Sequence, residues 1–281
     1  MVVVVNDSAA DFSPHEAASL GIELVPTILH LEGADLLCDV DIQQDEFYRR
    51  FERTSAPPST APPPAAAFEA AFKRQLDAGN EVVCITIASK ISKTFENAQA
   101  AAAPFGGRVH VIDTKTLSGG EALISIGAAE MARGGADLGS IVATAERRIA
   151  SQRGYAAYPN FDTLARTGRI DKSQILLGTM MKLFPVIRIE DDGSMHSEAT
   201  VKSFDLAIDL IIDLAARKMK NKHEARIAVT HIAAPALAER VSAGLREKLG
   251  VQPKELIVRR AGIAIACNLG LGAIEINWVE A

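Results

Sequence analysis

Three hydroxyl side chains, those of Ser89, Ser92 and Thr94, lie close together between an apolar segment and an alanine-rich segment. The apolar segment, 82–87, contains β-branched residues and predicts a buried strand, and the chain from Ser92 onward predicts a helix. The first N–H groups of a helix lack partners and its dipole favours negative charge, so hydroxyls at this point would complete an anion site. The simpler alternative is a helix cap, which requires one such hydroxyl rather than three.

Two arginines around a glycine, Arg166 and Arg169 on either side of Gly168, form a second candidate for anion binding. The guanidinium group offers donors in a planar fork that matches a carboxylate or a phosphate. The commoner alternative is a solvated basic pair of little energetic consequence. The spacing alone therefore leaves both interpretations open.

Acidic residues follow the predicted strands and suggest a different chemistry. Asp7 and Asp11 come after the first strand, and Asp113 ends a later one. Carboxylates at strand ends could hold a metal ion for a hydrolase or a phosphotransferase, although Asp7 could equally cap the next helix. No histidine lies near a serine in a pattern typical of a nucleophile with its base, so the sequence favours a binding protein over a catalyst.

Two nucleotide-binding patterns fail on inspection. The pentapeptide 117–121, Leu-Ser-Gly-Gly-Glu, resembles an ATPase signature, but the chain has no Gly-Lys pair and therefore no phosphate-binding P-loop. The pair Gly270 and Gly272 lacks the third glycine of a dinucleotide-binding loop, because position 275 is Glu.

The composition limits the class of protein. The 281 residues are 48% hydrophobic and 5% aromatic, so the core must consist mainly of aliphatic side chains. A net charge of −5 argues against nucleic acid as a partner. No run approaches the roughly 20 apolar residues that a membrane span requires. The three cysteines are far apart, which predicts reduced, buried thiols in a cytoplasmic protein.

The pattern of elements predicts an α/β protein with two domains. Strands and helices alternate in the first half, which is typical of a parallel sheet flanked by helices. The pattern changes near Gly154, and the remaining strands and helices predict a C-terminal α/β layer domain. We therefore expect domains at 1–152 and 153–281. Segment 54–64 contains five prolines and predicts an ordered loop.

In their order, these pieces resemble the DegV family of bacterial fatty-acid-binding proteins over nearly the whole chain. The resemblance depends on motifs that are weak one by one and specific as a set. They are Asp7-Ser8-x-x-Asp11, Phe47-Tyr48, the proline-rich loop, the segment Ser89 to Phe95, Ile112-Asp113-Thr114, Ser118-Gly119, Gly168-Arg169-Ile170 and Gly270-x-Gly272-Ala273.

The resemblance implies a long-chain fatty acid clamped between the two domains, with its tail in an apolar tunnel. It implies that hydroxyls and an arginine hold the carboxylate, and that the protein presents the acid to a separate fatty-acid kinase. It implies no metal or other cofactor, and we expect a monomer or a weak dimer. The ligand-binding positions that it indicates are Ser89, Ser92, Thr94, Ser118, Gly119, Arg169 and Asn268.

A threonine of the proline-rich loop completes the expected set, and two candidates match the family pattern. Thr54 matches by its neighbours, Ser55-Ala56-Pro57, whereas Thr60 matches by its spacing from Phe47 and from Ser92. Spacing determines where a side chain points, so the prediction is Thr60. The sequence departs from the family pattern at two of the positions near this expected site. Lys93 replaces a glycine, and Asn268 replaces a frequent histidine; its amide can still donate but cannot carry charge.

Overall fold

The computed structural model describes residues 1–54, 56–170 and 172–280. Its strands, in chain order, are β1 (Val2–Asp7), β2 (Ile22–Val25), β3 (Ile28–Leu31), β4 (Ala34–Leu37), β5 (Ser59–Ala61), β6 (Glu81–Thr86), β7 (Val109–Asp113), β8 (Arg153–Ala157), β9 (Phe184–Ile189), β10 (Met195–Val201), β11 (Ala225–His231), β12 (Glu255–Arg260) and β13 (Ile274–Glu280). Its α-helices are α1 (Pro14–Leu20), α2 (Gln44–Phe51), α3 (Ala65–Asp77), α4 (Thr94–Ala102), α5 (Ser118–Arg133), α6 (Leu138–Ser151), α7 (Asp162–Thr167), α8 (Lys172–Met180), α9 (Phe204–Lys218), α10 (Pro235–Leu249) and α11 (Ile263–Leu269).

The first sheet is parallel, as the alternation of strands and helices predicts. Its strand order is β2-β1-β6-β7, with Val5 of β1 opposite Cys84 of β6. Strands buried on both faces consist of continuous apolar runs, and β1 and β6 have such runs of valine and isoleucine. The carboxyl ends of these strands meet at one edge, where Asp7 and the turn after Thr86 lie.

The second sheet has six strands in the order β10-β9-β8-β13-β11-β12. It is mixed: β11 and β12 run parallel, and its other pairs are antiparallel. A turn at Asp191-Asp192-Gly193 joins β9 to β10 in a hairpin. Strand β10 was not predicted, because its segment is only partly buried and lacks a clean apolar alternation.

Helices α5 and α6 lie between the two sheets. Helix α5 packs against β1 of the first sheet and against β11 and β13 of the second. Ala228 and Val279 of the second sheet belong to the same apolar cluster as Val4 and Leu123. This layer joins both halves of the chain in one core. The expected domain boundary after residue 152 stays a prediction.

Local signals at helix ends agree with the observed bounds. Ser13 caps α1, where its hydroxyl accepts the Glu16 N–H at 3.1 Å, and Pro14 occupies the first helical position. Gly21 then ends that helix in the left-handed conformation at φ 71°.

The structure differs from the predicted elements at three places near the predicted ligand-binding residues. The proline-rich loop contains a short strand, β5, at the edge of a small sheet with the order β4-β3-β5, and prolines flank it without interrupting a ladder. Helix α4 begins at Thr94, two residues after the predicted start at Ser92. The sequence did not predict helix α11. Buried apolar residues surround this short helix on every side, so its sequence lacks the alternation of apolar and polar faces that predicts a helix.

No helix in the three described ranges combines the length and the hydrophobicity that a membrane span requires.

Candidate functional site

A cavity of about 220 Å³ lies where the carboxyl ends of the first sheet face α11 and the loop after α7. Its wall contains residues from both halves of the chain. Five of the eight predicted ligand-binding residues line it: Thr60, Ser92, Thr94, Arg169 and Asn268. Residues from 60 to 268 in sequence are thus brought to one site, which no local pattern could have shown.

The polar wall is organised around Asn268. Its Oδ1 accepts from Nη1 of Arg169 at 2.8 Å, and its Nδ2 donates to Oγ1 of Thr60, also at 2.8 Å. The same Nδ2 donates to the Ala264 carbonyl at 2.8 Å, within α11. One side chain therefore joins the loop after α7, the edge strand β5 and its own helix.

Arg169 is a partly buried cation with neutral partners. Its Nε donates to the Ile91 carbonyl at 3.3 Å, and its Nη1 donates to Asn268. Among the described residues it forms no salt bridge with a carboxylate. Burial lowers the pKa of the guanidinium from its ordinary value, yet an arginine remains charged in proteins. A partly buried positive charge that no described carboxylate neutralises favours an anionic ligand in the cavity.

The hydroxyls near α4 form a pair. Oγ of Ser92 and Oγ1 of Thr94 are 2.8 Å apart, and the Thr94 N–H donates to Oγ of Ser92 at 3.3 Å. Thr94 is buried, whereas Lys93 between them is exposed and also lines the cavity. The predicted cluster of hydroxyls at the start of a helix thus exists, with Ser92 and Thr94 as its members in the cavity wall.

Beyond the polar groups, the wall is apolar. Ile87, Leu117, Met195, Ile265 and Leu269 line the cavity. All five belong to one buried cluster that continues through Phe47, Tyr158 and Phe161. The cavity therefore has a polar end and an apolar wall that merges with a core cluster drawn from both halves. Met195 was not predicted because β10 was not predicted. Ile265 and Leu269 were not predicted because α11 was not.

Three predicted ligand-binding residues do not line this cavity, because other contacts hold them. Ser89 donates from Oγ to Asp113 at 2.6 Å. Ser118 is buried and donates to Asp11 at 2.6 Å. Gly119 packs against β11, where a Cβ atom on it would lie 2.7 Å from Cβ of Ala228. These positions support the fold around the cavity.

Thr54, the alternative to Thr60, lies outside the cavity wall. Its hydroxyl donates to the Ala56 carbonyl at 3.0 Å, which is a turn contact within its own loop. Ser55, which belongs to the same match, lies outside the described residues. Thr60 is therefore the threonine of this loop that the fold brings to Arg169 and Asn268.

The aspartates of the metal hypothesis are each engaged separately. Asp7 accepts from the N–H groups of Ala9 and Ile87, at 2.6 and 2.9 Å. Asp11 accepts from Ser118 and from the Gly262 N–H. Within the part of the chain that the structure describes, no group of three His, Cys, Asp or Glu side chains could hold a metal ion.

Burial raises the pKa of several carboxyl groups in this region. The pKa of Asp7, which also lines the cavity, rises to about 6, and the pKa of Asp11 rises to about 7. In Glu275, on β13, burial raises the pKa to about 8. Burial likewise raises the pKa of the Glu121 carboxyl well above its ordinary value. Several acidic groups between the two sheets therefore hold their protons more tightly in the folded state.

The cysteines are free thiols, and all three are buried. Burial raises the pKa of Cys267 to about 12, and it raises the pKa of Cys38 and of Cys84 above the ordinary value. Free, buried thiols agree with the prediction from their spacing.

Comparison with known proteins places this arrangement in a family. The family profile described as "Uncharacterised protein, DegV family" matches residues 1–281. A DegV domain-containing protein of Mycobacterium tuberculosis is 30% identical over 278 residues, which are 98% of this chain and 96% of that protein. One of Deinococcus radiodurans is 28% identical over 276 residues, with 98% and 97% covered.

Solved structures share the fold over the full length. A DegV family protein from Thermus thermophilus, described as binding fatty acid, is 25% identical at a TM-score of 0.88, with 100% of this chain and 99% of that one covered. A stearic acid-binding protein from Eubacterium ventriosum is 22% identical at a TM-score of 0.90, with 100% and 98% covered. With the family profile matched from end to end, the predicted α/β class confirmed and the resemblance of the motifs confirmed, the chain belongs to the DegV family.

Proposed function

We propose that this protein binds a long-chain fatty acid, with the carboxylate at Arg169 and the tail directed into the apolar cluster. The observation that carries the proposal is a partly buried arginine, without a carboxylate partner among the described residues, in a cavity whose wall is partly polar and partly apolar. The Thermus thermophilus relative, described as a fatty-acid-binding protein, supports the same ligand class.

The two ends of such a ligand would contribute differently to affinity. Burial of the tail gains about 0.8 kcal/mol for each methylene group, so a long chain supplies most of the binding free energy. A carboxylate buried without partners would cost several kcal/mol. Arg169, Thr60 and Ser92 offset this cost, because a cation and two hydroxyls can donate to the same pair of oxygens.

The tail requires more room than the cavity provides at rest. A volume of about 220 Å³ falls below the roughly 300–1,000 Å³ typical of ligand pockets. Met195, in the cavity wall, is unbranched and flexible, and it can change rotamer to extend the space. We therefore expect the tail to open a path into the cluster around Phe47 and Phe161.

The test is native mass spectrometry of freshly purified protein, followed by denaturation and lipid extraction. We expect an added mass that matches a fatty acid in the wild type and its loss from Arg169→Ala. Arg217→Ala, at an exposed position on α9, is the matched control and should keep the added mass. A wild-type protein that carries no lipid and binds no long-chain acid after incubation would refute the proposal.

The same proposal extends to a partner. At the polar end, Lys93 is exposed and Ser92 and Arg169 are partly exposed, so a bound carboxylate would face the surface. Helix α8, shortly after Arg169 in the chain, carries the exposed apolar side chains Leu176 and Met180, which suit a protein contact. We propose that a separate cytoplasmic kinase phosphorylates the carboxylate while this protein, which supplies no catalytic group itself, holds the tail.

Reconstitution tests this extension. With labelled fatty acid and ATP, the protein alone should give no acyl phosphate, and addition of the kinase should give product. Met180→Glu should reduce turnover without reducing fatty-acid affinity. Product formed without the kinase, or turnover unaffected by Met180→Glu, would contradict the respective part of the extension.

A further inference from the structure

A groove of about 490 Å³ runs beside strand β7, apart from the cavity that contains Arg169. Segment 110–113 of β7 lies along it, and α6, Phe95 of α4 and the start of the hairpin between β9 and β10 surround it. No described residue lines both this β7 groove and the cavity. The groove is therefore a second candidate for binding, which the proposed function does not use.

Strand β7 offers a free edge to this groove. Among the described strands it pairs with β6 only. The Thr114 N–H donates to the Thr86 carbonyl at 3.1 Å, and this bond fixes which residues of β7 face β6. Because backbone groups point alternately to the two sides of a strand, those of Ile112 face β6 and those of Val111 face outward. In the described part of the chain, no group bonds to the N–H or C=O of Val111.

The two faces next to this edge differ in chemistry. Val111 packs against the apolar cluster that includes residues of α4, and Ile112 belongs to the cluster that includes residues of α6. On the α4 side, Phe95 presents a partly exposed aromatic ring. On the α6 side, Glu146 and Ile149 lie about one turn apart on the same face of the helix. A strand added at the edge would therefore meet an aromatic ring on one face and a carboxylate on the other.

The lining of the β7 groove is acidic. It contains four carboxyl groups and one ammonium group, that of Lys115. The carboxyl groups are those of Asp113, Glu146, Glu190 and Asp191. Arg188 and Arg153, outside the lining, pair with two of them, but no described cation lies within salt-bridge distance of Glu146. Like charges disfavour a second copy of the same groove as occupant and favour a basic partner.

Gln152 adds a buried acceptor to the same lining. This residue is only 5% exposed, and its Nε2 lies 3.5 Å from Oδ1 of Asn277. Among the described residues, no donor reaches its Oε1. Buried amide groups are normally hydrogen-bonded, so this oxygen suits a donor that enters from the groove. Backbone N–H groups and basic side chains are such donors.

We propose that the β7 groove binds an extended basic segment of another protein, which adds a strand to the free edge of the first sheet. Main-chain hydrogen bonds give such strand addition its affinity, and contacts with alternate side chains give its specificity. Residues of the added strand would face Phe95 and Glu146 in turn, so the segment should alternate apolar residues with lysine or arginine. The five residues of β7 span about 16 Å, which fits a segment of about five or six residues.

The probe is a fluorescent hexapeptide of alternating lysine and valine, titrated with the full-length protein in fluorescence anisotropy. A block peptide, with three lysines followed by three valines, has the same charge and composition without the alternation. Two further versions of the alternating peptide carry backbone N-methyl groups, on the lysines in one and on the valines in the other. Only one of these sets can point its N–H groups at β7, because N–H groups alternate along a strand.

We expect saturable binding of the alternating peptide, at least about tenfold tighter than that of the block peptide. One N-methylated version should lose binding, and the other should stay within about threefold of the unmodified peptide.

Two variants of the protein test the edge and the charge separately. Val111→Pro removes the outward N–H, a change that edge strands tolerate, and should weaken binding by at least about tenfold. Val111→Ala keeps that N–H, loses similar side-chain contacts and should stay within about threefold. Glu146→Lys should weaken binding by at least about threefold, whereas Glu239→Lys, at an exposed position on α10, should not. The Glu146 pair keeps the test decisive if Val111→Pro fails to fold.

Several results would overturn the inference. They are no saturable binding of the alternating peptide, equal affinity for the block peptide, and equal effects of the two N-methylated versions. Equal losses in Glu146→Lys and Glu239→Lys would show attraction to the overall charge of the protein rather than to the groove. Self-association in sedimentation analysis that Val111→Pro abolishes would make a second copy of the chain the occupant, which also overturns the proposal of a basic partner.

Discussion

Replacement of Thr60 by valine removes one hydroxyl from the cavity wall and keeps the shape of the side chain. The structure places that hydroxyl at 2.8 Å from the amide nitrogen of Asn268, and no acceptor among the described residues takes its hydrogen. Strand β5 pairs with β3 through backbone groups, and valine suits a strand, so the edge strand should persist. The change therefore isolates the polar contribution of one side chain.

The magnitude follows from the charge of the ligand. A hydrogen bond to a charged group contributes about 1.5–3 kcal/mol, which corresponds to a loss of roughly 10- to 150-fold in affinity. The variant also leaves one amide hydrogen of Asn268 without an acceptor, although its bond to the Ala264 carbonyl remains. We therefore expect the dissociation constant to rise by at least about tenfold.

Isothermal titration or displacement of a fluorescent fatty acid measures the change. Thr60→Ser retains the hydroxyl and should stay within about threefold of the wild type. Thr54→Val removes a hydroxyl that bonds within its own turn and should leave affinity unchanged. The reasoning fails if Thr60→Val binds as tightly as the wild type, or if the loss appears in Thr54→Val instead.

Three further predictions concern stability and reactivity. The pKa of Glu275 is raised to about 8, so its stabilisation is complete below its ordinary pKa of 4.5 and is lost as pH rises through about 8. Glu275→Gln should flatten the fall of Tm between pH 5 and 8 in calorimetry, and an unchanged slope would contradict this. Gly119→Ala should lower the free energy of unfolding by about 1–3 kcal/mol in urea titrations, whereas Gly107→Ala, in open space, should not. The three buried thiols should resist a water-soluble thiol reagent in the folded protein and react after denaturation; rapid labelling of the native state would show that they are accessible.

Local patterns predicted the regular parts of this fold well, because their causes are local. The valine run of β1 and the apolar, β-branched run of β6 act over a few residues. Elements without such a pattern were missed. Helix α11 is buried on all sides, so no face distinguishes it, and its position depends on tertiary contacts.

The residues of the candidate site could be predicted only where their types, the family motifs or the spacing between those motifs identified them. Residue type and the family motifs identified Ser92 and Arg169, spacing identified Thr60, and all three line the cavity. Ser118 and Ser89 illustrate the limit, because a hydroxyl close to a motif can serve a neighbouring carboxylate as easily as a ligand, and only the fold decides which. The bond between Thr60 and Asn268, 208 positions apart, could not be inferred from either segment alone.

Helix α5, packed between two sheets, has consequences for how the protein tolerates mutation. A helix at a surface has one face on which almost any polar residue is acceptable, but eleven of the sixteen residues of α5 are buried. Gly119 allows a close approach to β11, where a Cβ atom would meet Ala228, and the buried Leu123 and Ile124 fill space further along the helix. In a saturation mutagenesis library selected for folding, we therefore expect α5 to form the longest continuous stretch of intolerance, and second-site suppressors to arise in both sheets rather than in one.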